Sequence, residues 1–510
     1  MVKTLYDWCL QCIASNLKML NSPGDHLTHC QKEKLLERMY WKDQFTEDNL
    51  QIIRDNLLSD NLNRNCLPCL DGQVMKLLCP NWSSTVKKGQ HGSHKITKGN
   101  EPILTKWLYQ VDTLKLRLYE SLDDTVFSYF GQCVGRRLTH LDLYGCLTVT
   151  DTGLISVLKH CPNISILDVS YIRKLTDRGM QAVAYCLKKK LIELEARSLS
   201  ITCASTKTIA DYCPKLTSAN FSQCRDLDGT GIYEMAQKCS LKVLKVSDLK
   251  LQSLLCLDKL QHNLIELEIN SVCSSIDRST LLHVGKFKVI SELTLYSVTL
   301  LNDDIVAKIF SSIGHQLTKL HLLNCPELKD ISESLVKYCT SLQDLLITGD
   351  CLSIQLTSLF TDKRKASLFK AIQLYNDTVP IEVVEAVAAS CHNLEHLYCE
   401  IEINDVIVFS VARHCSKLKV LHLSNLTDAN VCEIATHCHK LTLLCCRSDG
   451  PSALTDKSVI ALAGNCPNLE KLVLPKHHKI TAVAIKYLKN STVRRTRVFT
   501  SVHICGNQEL

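Results

Sequence analysis

The chain has 510 residues, of which 45% are hydrophobic, 22% are charged and 28 are cysteine, with a formal net charge of +7. This balance excludes disorder, collagen and coiled coil as overall descriptions, and so small a surplus over so long a chain gives no reason to expect a nucleic-acid partner. No run reaches the roughly 18 apolar residues of a membrane span, and charge follows Met1 too soon for a secretory leader. No membrane association is therefore expected, and the cysteines are expected as reduced thiols in the cytoplasm or nucleus.

Residues 3 to 20 read as a helix, with Leu5, Cys9 and Ile13 at i, i+4 and i+8 and Leu10 and Leu17 beside them. A second helix is predicted over 31–40 around Leu35, Leu36 and Met39, and a third over 46–58, opening at Thr46 with acidic residues in its first turn. Residues 1–58 therefore form a small helical segment. Residues 59–105 are polar, glycine-containing and basic without periodicity, as in a linker or insertion. Cys66, Cys69, Cys79, His91 and His94 are ligand types within that stretch, but their gaps match no tight zinc finger, so no metal and no cofactor are expected.

From residue 106 to 490 one frame recurs: an apolar residue, two variable residues, an apolar residue, one variable residue, a third apolar residue. Fifteen copies run from Val111 (VDTLKL) through Leu138 (LTHLDL), Leu264 (LIELEI) and Leu418 (LKVLHL) to Leu469 (LEKLVL), at a mean step of roughly 26 residues. Alternation at period two makes each frame a short strand. Between strands lie amphipathic helices; in 150–162, Leu154, Val157, Leu158 and Cys161 fall on one face, and Pro162 ends the helix. Neither element buries its apolar face alone, so stacking into an α/β solenoid follows. Residues 491–510, including basic Val493-Arg-Arg-Thr-Arg-Val, read as a cap or tail.

The repeats resemble the cysteine-containing leucine-rich repeats. The carrying residues are Cys146, Thr150-Asp151-Thr152-Gly153-Leu154 and Cys161-Pro162-Asn163-Ile164, with partial copies at Thr176-Asp177-Arg178-Gly179, Cys213-Pro214 and Cys466-Pro467-Asn468-Leu469. The resemblance implies a horseshoe of about fifteen strand-helix repeats with parallel strands lining a concave face. Cys161, Cys213, Cys239, Cys339, Cys391, Cys415, Cys438 and Cys466 precede the next frame by two or three residues. They are expected to be small buried structural thiols.

Thr4-Leu5-Tyr6-Asp7-Trp8-Cys9-Leu10-Gln11-Cys12-Ile13 resembles the elongin BC-box, and with the repeats behind it the chain is similar to Zyg-11 and Zer-type substrate receptors of cullin ubiquitin ligases. The resemblance implies adaptor binding through Thr4, Leu5, Cys9 and Ile13, with Leu5 as the anchor in elongin C, as a helix in a groove. The partners it implies are elongin C with elongin B, a cullin and a protein substrate. The following segment lacks the proline of that family's cullin-selecting motif, so the choice of cullin is open. Whether the helix docks an adaptor or caps the solenoid is also open, and the alternative is a non-catalytic scaffold or inhibitor, or an F-box-like receptor.

Variable frame residues project from the strands' solvent face. In the first half these are Asp142, Asp168, Glu193, Glu195, Glu266, Glu268 and Glu292, with Lys245 and Arg197 among them; Tyr144 and Tyr296 share the face as candidate anchors. Further on come Lys319, His321, His396, His422, Arg447 and Lys471, with Tyr375 and Tyr398. The acidic stretch is expected to hold a substrate with a basic segment. No P-loop, G-x-S-x-G or HExxH occurs, and Cys, His and carboxylates are distributed by repeat position, so no catalytic residue and no enzyme activity are expected.

Overall fold

The structure, a computed structural model, describes residues 112–117, 124, 127, 135–247, 259–270, 278–348, 351–375, 379–399, 404–447, 453–492 and 496–500. The expected N-terminal helices, the adaptor residues Thr4, Leu5, Cys9 and Ile13, and the 59–105 linker lie outside the described residues. The chain divides into two compact units, Met1–Leu264 and Ile265–Leu510.

The first unit holds strands β1 (Thr113–Lys115), β2 (His140–Asp142), β3 (Ile166–Asp168), β4 (Glu193–Glu195), β5 (Ser218–Asn220) and β6 (Val243–Ser247). Each pairs in parallel with the next in chain order. Parallel neighbours need a crossover, here supplied by helices α1 (Asp151–His160), α2 (Asp177–Leu187), α3 (Cys203–Tyr212) and α4 (Gly229–Lys238). The second unit repeats the scheme with β7 (Glu266–Asn270), β8 (Glu292–Tyr296), β9 (Lys319–Leu323), β10 (Asp344–Thr348) and β11 (Ala371–Tyr375). It continues through β12 (His396–Cys399), β13 (Val420–Ser424), β14 (Leu443–Arg447), β15 (Lys471–Leu474) and β16 (Arg497–Thr500), again parallel and in order. Each unit is thus a leucine-rich-repeat solenoid of the α/β class. The fifteen frames coincide with β1 to β15; β16, which no frame marks, lies within the basic 491–510 segment.

The core is built by the frame. Leu138, Leu141 and Leu143 are fully buried, as are Ile164, Leu167 and Val169 one repeat on; between them Thr139 is exposed, His140, Ser165, Ile166 and Asp168 are half-buried, and Asp142 is buried. On α1, Leu154, Val157, Leu158 and the following Cys161 are buried against them, as the helical spacing requires.

Two recurring devices stitch repeat to repeat. First, each expected structural cysteine is the residue that closes a helix: the Cys161 N–H donates to Val157 O at 2.9 Å and the Cys438 N–H to Ile434 O at 2.8 Å. Its side chain is too small to crowd the next strand, and in several repeats its thiol donates back to the previous repeat, Cys239 to Cys213 O at 3.5 Å and Cys415 to Cys391 O at 3.5 Å. A second column follows the strand exits, where the Cys146 thiol donates to Leu116 O at 2.8 Å and Cys224 to Ala196 O at 3.0 Å. Burial pushes Cys161, Cys213, Cys415 and Cys438 up to about 12, so these thiols stay protonated and poorly nucleophilic at neutral pH.

Second, helix starts are joined across repeats. Thr176 caps α2, and both its N–H (2.9 Å) and its hydroxyl (2.6 Å) donate to the carboxylate of Asp151, the first residue of α1. Thr202 stands in the same relation to Asp177, Thr455 to Asp428 and Thr481 to Asp456. The residue three after the cap meets the same carboxylate. A Cβ at Gly179 would collide with Asp151 Oδ1, whereas Ser205 and Ser458, at the matching positions, donate to Asp177 and Asp428. Burial pushes Asp177 up, but its hydrogen bonds from Ser205 and Thr202 outweigh that and hold it below the usual carboxylate range.

Candidate recognition faces

In the first unit, the third position of each strand forms one row. Lys115, Asp142, Asp168, Glu195, Asn220 and Lys245 are register neighbours in that order. Three carboxylates thus lie side by side at the interstrand spacing of about 4.8 Å, with Lys115 on one side and Asn220, then Lys245, on the other.

The first two carboxylates serve the backbone as well as the surface. Asp142 accepts the N–H of Tyr144 at 3.2 Å, Asp168 accepts that of Ser170 at 2.9 Å, and Asn220 accepts that of Ser222 at 3.0 Å. Each side chain thereby satisfies an amide two residues on, an Asx turn that ends the strand. Asp142 is only 2% exposed and also takes the Arg117 guanidinium, Nε to Oδ2 at 2.6 Å. Arg117 reaches Asp168 at 3.8 Å and lies over the Tyr144 ring at 5.4 Å. Asp142 is therefore withdrawn from solvent, a placement the acidic-face expectation did not contain. Burial raises Asp168 and Glu195 above the ordinary carboxylate range, although Arg197 at 3.3 Å and the Asn220 amide at 2.8 Å pair with Glu195.

The residue leaving each strand turns left-handed: Gly145 (φ 70°), Tyr171 (61°), Ser198 (55°) and Gln223 (65°). The conformation aims each N–H at the next repeat, Gly145 N to Ser170 O at 2.9 Å and Tyr171 N to Arg197 O at 2.8 Å. Its recurrence makes it a strand-exit device; only at Gly145 does the sequence supply the residue that adopts it without steric cost. The Tyr144 and Tyr171 rings meet at 5.0 Å above the carboxylate row, with Glu193 half-buried on the same face.

The second unit gathers Glu266, Glu268, Glu292 and Tyr296 on its own strand face. Glu266 is level with Glu292, and Glu292 with Lys319, whose Nζ lies 3.5 Å from it. Glu268 is level with Thr294, then His321, whose Nε2 lies 3.2 Å from Asp344. The Tyr296 hydroxyl accepts from Asn324 Nδ2 at 3.3 Å. Further along, the face becomes aromatic. Tyr398 contacts Tyr375 at 6.0 Å and His422 at 5.9 Å between ring centroids. Burial raises the Tyr398 phenol to about 12 and lowers His422 to about 4, with Arg447 adding to the latter, and the buried His422 Nε2 has no hydrogen-bond partner.

Sequence reasoning missed Arg117, which sits two positions beyond its strand and pairs with acids of the next two repeats. The signal available was an acid at the last strand position followed two residues later by a backbone amide in need of an acceptor. Among the described residues, no group of three or more His, Cys, Asp or Glu is arranged to hold a metal ion, and no helix is long and apolar enough to cross a membrane.

No family model matches the chain. Among solved structures it is similar to the yeast Rad7 and Elc1 complex, at 18% identity over 72% of this chain and 79% of that chain, with a TM-score of 0.38. It is also similar to the leucine-rich repeat-containing protein LegL7 from Legionella pneumophila, at 13% identity over 65% and 94% of the two chains, TM-score 0.33. The functional domain of InlJ from Listeria monocytogenes, which includes a cysteine ladder, matches at 17% identity over 73% and 76%, TM-score 0.32.

Proposed function

We propose that this chain is a non-catalytic protein-recognition scaffold, the substrate-recognition subunit of a cullin-RING ubiquitin ligase. The N-terminal segment docks elongin C, partnered by elongin B, through Leu5, Cys9 and Ile13, and the strand faces hold a protein substrate. The observation that carries the recognition role is the half-buried solvent side of the parallel strands. Parallel sheets are ordinarily covered on both sides. Here Glu193 in the first unit and Glu266, Glu268, Glu292 and Tyr296 in the second stay partly open along that side. Adjacent carboxylates at this spacing favour a substrate segment bearing Lys or Arg. The adaptor role is supported by the Leu5, Cys9 and Ile13 spacing, which puts the three on one helical stripe.

Catalysis then belongs to the assembled ligase, and this chain supplies proximity. Co-expression with elongin B and C tests the reading: the wild type should co-purify with both, and Leu5→Ala combined with Cys9→Phe should not. Absence of the adaptors from the wild-type preparation would leave only the scaffold role.

A further inference from the structure

The first unit carries a second charged surface, opposite in sign and on a different edge. Where its helices return to its strands, successive repeats present cations. Arg136 and Arg137 form a turn before β2, Lys159 and His160 close α1, and Lys188–Lys190 form a turn between α2 and β4. Lys215 follows α3, and Lys238 closes α4. Each of these cationic residues is exposed to solvent.

Among the described residues three acids share the edge: Asp112, beside β1, and Asp211 and Glu234, both held by Lys238 at 2.8 and 2.7 Å. Arg136, Arg137, Lys159, Lys188, Lys189 and Lys215 form no ion pair among the described residues. Cations at helix C-termini are favoured by the helix dipole, which accounts for Lys159, His160 and Lys238. It does not account for Lys189, Lys190 or Lys215, which lie beyond the last turns of α2 and α3.

The loops are tied in register. Lys190 Nζ donates to the Asn163 side-chain oxygen, and Asn163 Nδ2 donates to Arg136 O at 2.6 Å, linking three consecutive loops. Burial raises the half-buried Cys186 thiol, and the positive charges of Lys159 and Lys188, from two successive repeats, oppose that shift. Large apolar side chains stand open among them: Tyr185 at 49%, Ile192 at 47% and Tyr212 at 42% exposure. The rings of Tyr185 and Tyr212 meet edge to face with centroids 4.8 Å apart.

We propose that this edge is a docking surface for an acidic, apolar-bearing segment of a partner protein. The cations attract Asp and Glu, and Tyr185, Ile192 and Tyr212 receive interspersed Leu or Phe side chains. A protein segment fits better than a nucleic-acid strand, because base stacking needs open ring faces and the edge-to-face pair turns one ring's edge into the other's face. The residues of this surface belong neither to the adaptor stretch Thr4–Ile13 nor to the strand faces, so the proposal does not rest on the ligase reading.

The test uses the purified full chain and fluorescence anisotropy with two labelled probes: a peptide of about a dozen alternating Glu and Leu residues, and an oligothymidylate of similar length. The peptide should bind saturably, weaken as salt rises, and bind more tightly than the oligonucleotide. Lys188→Glu with Lys189→Glu and Lys190→Glu should weaken peptide binding at least about tenfold, and Tyr212→Ser several-fold. Arg173→Glu with Lys174→Glu, exposed at the strand-exit edge, should leave it unchanged. The milder Lys188→Gln with Lys189→Gln, expected to give an intermediate loss, replaces the triple reversal if thermal unfolding shows that variant misfolded. No saturable peptide binding, unchanged affinity on removing these charges, or equal or tighter binding of the oligonucleotide would overturn the proposal.

Discussion

Asp151 and Thr176 open consecutive helices, and the carboxylate of the first accepts both the N–H and the hydroxyl of the second, at 2.9 and 2.6 Å. One acid thus secures the cap of the following repeat, so a local helix signal doubles as a contact between repeats. The exception follows the same chemistry. At the next joint but one, the cap is Asp228 and the preceding helix opens with Cys203, whose thiol donates to Asp228 at 2.7 Å, so donor and acceptor have exchanged places.

Breaking one joint should be measurable. Thr176→Val removes the hydroxyl from both the cap and the joint and should cost about 1–2 kcal/mol in denaturant unfolding. Gly179→Ala should also destabilise, against the general preference of helices for alanine, because its Cβ meets Asp151 Oδ1. Gly179→Ser should be milder, since Ser205 and Ser458 show that a hydroxyl there can donate to the same carboxylate.

Asp142 provides a second case. It is 3% exposed in its side chain and depends on Arg117, which is itself 60% exposed. Arg117→Leu would leave a buried carboxylate with only the Tyr144 amide as partner and should destabilise by roughly 2–3 kcal/mol. Adding Asp142→Asn, which keeps the acceptor for Tyr144 and removes the charge, should recover most of that loss in thermal unfolding. An unchanged double variant would show that the charge is not the cause.

His422 makes the second unit sensitive to acid. Its pKa is lowered by burial to about 4 from an unfolded value of 6.5, so between these values the unfolded chain binds more protons than the folded one. Stability therefore falls as pH drops from 6.5 toward 4, by at most about 3 kcal/mol. His396, also lowered chiefly by burial, adds in the same direction. His422→Gln should flatten this part of the stability profile; a profile with the wild-type slope would exclude His422 as its source.

The buried thiols should resist chemistry. Cys161, Cys213, Cys415 and Cys438, raised to about 12 by burial, should escape alkylation by iodoacetamide at pH 8 in the folded chain and react on denaturation. Among the described cysteines, partly open Cys203 and Cys445 should react before these four, as read by mass spectrometry of peptides. Early modification of Cys438 would contradict its burial.

The fold was legible because its signal is periodic. Leu138, Leu141 and Leu143 announce a strand by spacing alone, and Cys161 announces a helix end by preceding Pro162. The recognition faces were legible only as positions. Asp142 and Glu193 read alike as acids in a variable slot, yet one is locked by its own turn and by Arg117 while the other stays partly open. That difference rests on a side chain 25 residues away, which no local pattern encodes. The 491–510 segment read only as a cap or a tail for a related reason: Arg497, Val498, Phe499 and Thr500 lack the leading leucine frame and form a strand by pairing with β15.

The most direct test of the functional account is a titration of the purified full chain with the elongin B–C complex, followed by calorimetry. The account predicts saturable one-to-one binding that Leu5→Ala with Cys9→Phe abolishes, while reversal of Glu266 and Glu268 to Lys leaves it intact. Absence of binding by the wild type, or equal binding by the Leu5 and Cys9 variant, would contradict it.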